Sequence, residues 1–391
     1  MAQTVRNLCV TLALELCATL LFVYPSISFA TQDKTLFFVF GDSLYDNGMS
    51  LYTGDKEAGA RYWPYGESYF KKPAGRYSNG LNIPDFIGIF CLYNTIICRM
   101  CIVFAFNLAY SQFAGLPYMP PPYLLPGNKN YTNGINFAST SACVLVENCP
   151  KAINLKMQLD YFVEMVQNLT KQVGKSEANR LLSRAVYLFD IGKNDYVTLL
   201  QMNREKRPLS SSEKSLYVKQ ILGNLTIHIK TIYKKGGRKF AFQNIGPIGC
   251  MPSMKYMLGF NGTCAEEPLE LARMHNAAFA AKANTLQSKL PGFNYTIYDF
   301  YTALHHRVLY GNVYGFEETE TACCGSGVFN GDYTCQNRSM TFSVCYKVKD
   351  YLWYDAWHPT HKACRQLAKE FWSGGYNNVA PYNLRTLFAM G

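Results

Sequence analysis

Charge is scarce in this chain of 391 residues: Asp, Glu, Lys and Arg together make up 17%, against 49% apolar residues. A disordered chain needs the opposite balance, so that class is excluded. The 29 glycines follow no three-residue period, which excludes a collagen-like rod. No repeat period and no low-complexity linker divides the sequence, although its length alone allows roughly two or three domains. The formal net charge of +11 comes from Lys and Arg that are scattered rather than clustered. A nucleic-acid partner is therefore not expected. No Cys-x-x-Cys pair stands near a histidine pair, so a zinc site is not expected either.

Cysteine, in contrast, is plentiful, with 14 in the chain. That number is unusual for a cytosolic enzyme and points to an oxidising compartment. Residues 1–30 fit a secretory signal peptide, with Arg6, an apolar run from Leu8 to Tyr24, and small residues at Ser28 and Ala30. Six Asn-x-Ser/Thr sequons, at Asn130, Asn168, Asn224, Asn261, Asn294 and Asn337, fit a secreted glycoprotein. Setting aside the leader and an anomalous apolar stretch leaves nine cysteines, so at least one lacks a partner in the fold. Cys250 with Cys264, and Cys323/Cys324 with Cys335/Cys345, are the local pairings to try first.

Apolar runs at Leu36–Phe40, Ile135–Ala138, Ala185–Ile191, Lys239–Ile245 and Tyr295–Phe300 read as buried strands. Between and after them, Leu155–Val173, Glu213–Lys235, Leu269–Leu290 and Thr360–Trp372 carry apolar residues at helical spacing. That alternation predicts βαβ units and a mostly parallel sheet of about five strands, covered by helices on both faces. Residues 31–391 read as one α/β domain. The stretch Phe86–Tyr110 is long enough to span a membrane, but Asn94 and Arg99 within it argue against a stable span.

Three polar groups stand just past strand ends, where ligands bind in open α/β sheets. The first is Gly41-Asp42-Ser43-Leu44, whose serine hydroxyl is a nucleophile once a base takes its proton. The second is Asp190-Ile191-Gly192-Lys193-Asn194-Asp195, where a side-chain amide is placed to donate to an oxyanion. The third is Asp355-Ala356-Trp357-His358-Pro359, with an Asp three residues before a His, able to turn back and fix the imidazole tautomer. Pro359 suits the first turn of the next helix, which leaves His358 on a loop. The remaining histidines (His228, His275, His305, His306 and His361) read as structural, with His305-His306 the one pair kept in view because it follows a strand.

These motifs, in this order, resemble the GDSL esterase/lipases of plants, in the SGNH-hydrolase superfamily. Phe40-Gly41-Asp42-Ser43-Leu44 with Asp46 and Gly48 is similar to the family's first block, and Gly134 to Ser139 to its second. Gly192-Lys193-Asn194-Asp195 is similar to the third and Asp355 to Pro359 to the fifth. Gly75 to Gly80, Ile83 to Phe86, Asn244 to Cys250 and Ala322 to Gly325 carry the likeness across nearly the whole mature chain. The resemblance implies a three-layer α/β/α sandwich of SGNH, flavodoxin-like type and a secreted serine carboxylic-ester hydrolase acting on lipid or other acyl esters. It implies Ser43 as nucleophile, His358 as general base and Asp355 as its orienting partner. The backbone N–H of Ser43, the backbone N–H of Ser141 and the Asn194 side chain would form the oxyanion hole. No metal or organic cofactor is implied.

Two departures stand out. Where the family's second block reads Ala-Ser-Gly-Gly-Ala-Gly, this chain has Ala138-Ser139-Thr140-Ser141-Ala142-Cys143. Ser141 keeps the N–H, but a left-handed backbone there is strained for a residue other than glycine by roughly 1 kcal/mol. That departure opens a second function, a binding protein on the same scaffold, beside acyl transfer by the same residues. The other departure is Ile89–Ser111, which interrupts the family pattern; it reads as a translated intron, with a lid over the acyl site as the alternative. Natural substrate and oligomeric state are silent.

Overall fold

The computed structural model describes residues 35–54, 59–95, 119–128, 131, 134–335 and 340–391. The chain falls into two units, residues 1–34 with 92–117 and residues 35–91 with 118–391, and the sheet and its helices belong to the second. The expected leader, the sequons at Asn130 and Asn337, and residues 96–111 of the apolar stretch lie outside the described residues. Residues 89–95 of that stretch form the end of helix α1 (Ile83–Thr95). No helix among the described residues is long and apolar enough to cross a membrane.

Five parallel strands, β1 (Phe37–Gly41), β2 (Gly134–Asn136), β3 (Val186–Asp190), β4 (Lys239–Gln243) and β5 (Asn294–Tyr298), make the body of the sheet. After the short β6 (Cys324–Gly325) and β7 (Ser343–Val344), which pair with each other, β8 (Val379–Ala380) adds an antiparallel edge to β5. The sheet order is β2-β1-β3-β4-β5-β8, six strands where the sequence predicted about five. The extra strand has only two residues and therefore no alternation to read.

Every residue of β1, β3 and β4 is buried, as expected for strands with helices on both faces. Their register stacks aromatic rings in two rows across the sheet. Phe38, Tyr187 and Phe240 form one, with centroids 5.4 Å apart at each step. Phe40, Phe189 and Phe242 form the other, at 4.9 and 5.5 Å. Phe162 of helix α2 (Leu155–Val173) sets its edge against Phe38, Phe40 and Tyr187. Each such pair contributes about 0.5–1.5 kcal/mol beyond the area it buries.

The remaining helices are α3 (Lys175–Arg184), α4 (Lys193–Asn203), α5 (Ser211–Lys234), α6 (Pro252–Met257), α7 (Glu266–Lys289), α8 (Phe300–Leu309), α9 (His361–Ser373) and α10 (Leu384–Ala389). Their caps explain where they differ from the sequence pattern. Helix α5 starts two residues earlier than its apolar periodicity because Ser210 and Glu213 form a capping box. Phe300, expected to end a strand, instead opens α8, with the Asp299 side chain capping Thr302 N–H. Pro359 is not in the first turn of α9. The Thr360 side chain accepts from Ala363 N–H and fixes the cap one residue later, while Pro359 pairs in an isolated bridge with Trp353. His358 is therefore on a loop, as expected.

Among the described residues, four disulfides close local loops: Cys143–Cys149, Cys250–Cys264, Cys323–Cys345 and Cys324–Cys335. The first was not among the pairings favoured from sequence, and the last two resolve a pairing that spacing left open. Cys364 is a buried thiol.

Candidate active site

At the end of β1 the backbone of Gly41 runs against β3 so closely that a Cβ there would lie 2.6 Å from the Asp190 carbonyl oxygen. Only glycine permits that approach, and it lets Asp42 N–H bond the same carbonyl at 3.1 Å. Gln158 of α2 holds the other side: its Oε1 accepts from Gly41 N–H at 3.0 Å and its Nε2 donates to Gly41 O at 2.9 Å. The chain then turns with Leu44 N–H on Asp42 Oδ1, at 2.9 Å, and presents Ser43 at the carboxyl edge of the sheet.

The loop before α9 meets it there. Ser43 Oγ lies 2.7 Å from His358 Nε2, and His358 Nδ1 lies 2.7 and 2.8 Å from the two carboxylate oxygens of Asp355. All three residues are buried, Ser43 being 7% exposed. Asp355 Oδ1 also accepts the backbone N–H groups of Trp357 and His358, each at 2.8 Å. Its Oδ2 accepts from the Tyr65 hydroxyl at 2.6 Å. Burial, followed by the Asp355 charge, pushes the Tyr65 phenol well above its usual range, so it acts as a donor there. Tyr77 covers the imidazole, with centroids 4.9 Å apart. A serine, an imidazole and a carboxylate in this relay can move a proton from the hydroxyl while the carboxylate steadies the imidazolium.

The other two segments of the expected oxyanion hole come together beside this turn. Ser141 has φ 57° and is exposed. The strained backbone foreseen for a non-glycine residue at this position is thus present. The N–H groups of Ser43 and Ser141 have no acceptor among the described residues. Asn194, in the first turn of α4 after Gly192 at φ 115°, donates one Nδ2 hydrogen to Ala142 O at 2.9 Å, which leaves the second for a ligand.

Beneath the turn lies a charged group that the motifs did not announce as such. Lys193 Nζ is 3.7 Å from Asp42 Oδ1, both side chains being buried. Burial and then the nearby Asp42 charge push the Asp190 carboxyl well up, against the pull of Lys193 and a hydrogen bond from Gln243. Tyr65 and Gln158 were missed from sequence. Gln158 did leave a signal, a polar residue on the apolar face of an amphipathic helix; Tyr65 left none. Of the histidines kept aside, His305 on α8 lies near the sulfurs of Cys250 and Cys264. Those sulfurs are bonded to each other, so the cluster offers no thiolate to a metal.

A family model for the GDSL-like lipase/acylhydrolases matches residues 37–371. The chain is 39% identical over 378 residues to a GDSL lipase of Tanacetum cinerariifolium, covering 96% of this chain and 94% of that protein. It is 38% identical over 366 residues to GDSL esterase/lipase 2 of Arabidopsis thaliana, covering 92% and 90%. It is also 32% identical over 371 residues to an Arabidopsis thaliana protein named inactive GDSL esterase/lipase-like protein 25, covering 95% of this chain and 78% of that one. With a parallel sheet, a Gly-Asp-Ser-Leu turn at its carboxyl edge and this breadth of likeness, the chain belongs to the GDSL-like lipase/acylhydrolase family.

Proposed function

We propose that this GDSL-family hydrolase of carboxylic esters works through an acyl-enzyme on Ser43, with His358 as general base and Asp355 as the group that orients it. The observation that carries the reading is the continuous relay from Ser43 Oγ through His358 to Asp355, each link at 2.7–2.8 Å. Ser43 Oγ attacks the ester carbonyl and its proton passes to His358 Nε2. Charge that develops on the carbonyl oxygen is met by the N–H groups of Ser43 and Ser141 and by the second Nδ2 hydrogen of Asn194. His358 returns the proton to the departing alcohol. Water then attacks the acyl-enzyme, again giving its proton to His358, and the acid leaves as Ser43 regains its hydrogen.

The substrates under this reading are lipid or other acyl esters. The protein acts as one catalytic domain over residues 31–391, with 89–111 as an insertion, and it is secreted; the four disulfides support an oxidising compartment. A second reading, a binding protein with impaired turnover, is favoured by Ser141, whose exposed side chain stands at the positive-φ position.

The test is hydrolysis of a p-nitrophenyl ester chain-length series by the wild type, Ser43→Ala and Ser141→Gly. Turnover by the wild type that disappears in Ser43→Ala upholds the esterase. Turnover in Ser141→Gly alone transfers the conclusion to the binding protein. Undiminished turnover in Ser43→Ala refutes the mechanism.

A further inference from the structure

The proposed oxyanion donors come from three separate segments: the Ser43 turn, the loop 139–149, and the first turn of α4. The backbone of the middle segment makes one direct bond to each of the others, Ser139 N–H on Gly41 O at 3.1 Å and Asn194 Nδ2 on Ala142 O at 2.9 Å. Within it, Ala142 N–H reaches Ser139 O at 3.3 Å, and Ser141 sits in the left-handed region. Two buried carboxylates add further connections. Asp46, three residues after Ser43, accepts Gly48 and Met49 N–H on Oδ1 at 2.8 and 2.7 Å, which locks its own turn. Its Oδ2 accepts Thr140 N–H at 3.1 Å, one residue before Ser141. Asp195, next to Asn194, accepts Val144 and Leu145 N–H at 2.8 and 2.9 Å and the Asn148 amide at 2.8 Å.

We propose that Asp46 and Asp195 are paired positioning residues that clamp the loop 139–149 between the nucleophile turn and the Asn194 helix, and so aim the Ser141 N–H at the substrate carbonyl. The proposal rests on the esterase reading given above. Neither carboxylate is placed to serve as an acid or base on the reacting atoms. Each is almost wholly buried; Asp46 accepts N–H groups of its own turn and of the loop 139–149, while Asp195, carried on α4, accepts only from that loop. Such an arrangement costs desolvation, and core packing alone does not call for it. Burial lifts both carboxyls to about 6, against the pull of the N–H groups they accept.

The charged and titratable neighbours do not neutralise either one. Facing Asp46 are Tyr77 and the Arg76 guanidinium, which is itself held by Asp85 at 2.9 and 3.0 Å. Facing Asp195 are Tyr196 and Tyr217, with Glu147 beside Tyr217. The clamp holds while both carboxylates are ionised, since protonation replaces an acceptor with a donor facing an N–H group.

The experiment compares kcat and KM of the wild type, Asp46→Asn, Asp195→Asn and the double variant on p-nitrophenyl butyrate at pH 7.5, with Ser43→Ala alongside. Loss of a whole oxyanion donor costs ~10²–10³ in rate, and displacement of one costs less, about 10–100-fold. Each single variant is expected to lose kcat by that amount, with KM within threefold. The double variant is expected to lose little more than the worse single one, because one loop is already released. Two unrelated structural defects would multiply instead, and that outcome overturns the clamp, as do single variants whose kcat stays within threefold of wild type. Retained turnover in Ser43→Ala sinks the esterase reading and is recognised separately. If an amide variant fails to fold, the wild type decides through its pH profile. Below pH 6, log kcat falls with a slope above one if both carboxylates must stay charged, and a slope of one overturns the proposal.

Discussion

His275 should dominate one part of the protein's response to acid. It lies on α7, 3% exposed, with Nδ1 2.8 Å from the Tyr196 hydroxyl of α4. Burial lowers it from the ordinary 6.5 to about 3 in the folded protein. Because the folded value is the lower one, the fold favours the neutral ring. The resulting stability is fully present above pH 6.5 and is lost as pH falls from 6.5 toward 3. At pH 5 the unfolded ring is almost fully charged while the folded ring is not, and the difference amounts to about 2 kcal/mol. Urea unfolding of the wild type and His275→Gln at pH 7.5 and at pH 5 isolates this contribution. Any pH-independent cost of the glutamine cancels in the difference between the two pH values. The wild type is expected to lose about 2 kcal/mol more than the variant on acidification. Equal losses in the two proteins would refute the reasoning.

Tyr65→Phe removes the 2.6 Å donor from Asp355 Oδ2. With its charge less shared, Asp355 holds the imidazolium more strongly, so the acid limb of kcat/KM should move to higher pH and thermal stability should drop; an unmoved limb counts against the role given to Tyr65. Gln158→Leu leaves the Gly41 N–H without its side-chain acceptor, while Gly41 O loses Gln158 but keeps Ser139 N–H at 3.1 Å. Unfolding free energy should fall by about 1–3 kcal/mol, the cost of the one orphaned buried N–H. A loss below ~1 kcal/mol would mean that the nucleophile turn is held by its other contacts.

Much of the fold was legible because its strands are unbroken apolar runs and its helices carry apolar residues at helical spacing. The run Leu36–Phe40 is β1 to within a residue at each end, and Leu155–Val173 is α2 to the residue. Boundaries drifted where side chains cap the backbone, as Ser210, Asp299 and Thr360 do, since periodicity carries no information about caps. Ser43 and Asn194, past strand ends, and Asp355 and His358, before the helix α9, stood out against their apolar surroundings, and the structure brings Ser43, Asp355 and His358 into one relay. Tyr65 meets Asp355 across 290 residues of sequence, and nothing local to either one announces the contact. Asp46 and Asp195 were visible only as members of their motifs. What each carboxylate holds depends on how the loop 139–149 folds back, which spacing does not record.

Ser141 is where sequence and structure bear most directly on activity. A left-handed backbone costs a non-glycine residue roughly 1–2 kcal/mol. Opposing any relaxation are Thr140 N–H on Asp46, Ala142 O on Asn194, and Val144 and Leu145 N–H on Asp195, with the Cys143–Cys149 disulfide just beyond. Each hydrogen bond contributes about 0.5–1.5 kcal/mol net, and bonds to charged groups contribute more. The anchors together therefore outweigh the strain, and the backbone stays left-handed without a glycine. It follows that serine keeps the N–H where glycine would hold it. The consequence of the substitution is confined to the added Cβ and hydroxyl, which are exposed beside the site. Under the proposed mechanism, a side chain of that size narrows the room for an acyl carbonyl but leaves the proposed donor itself in place. The departure from the family pattern should thus show itself as selectivity among esters, with small acyl groups turned over and bulky ones refused until Ser141→Gly reopens the space. A uniform loss across the whole ester series, restored uniformly by glycine, would instead place the fault in the N–H itself and favour the binding protein.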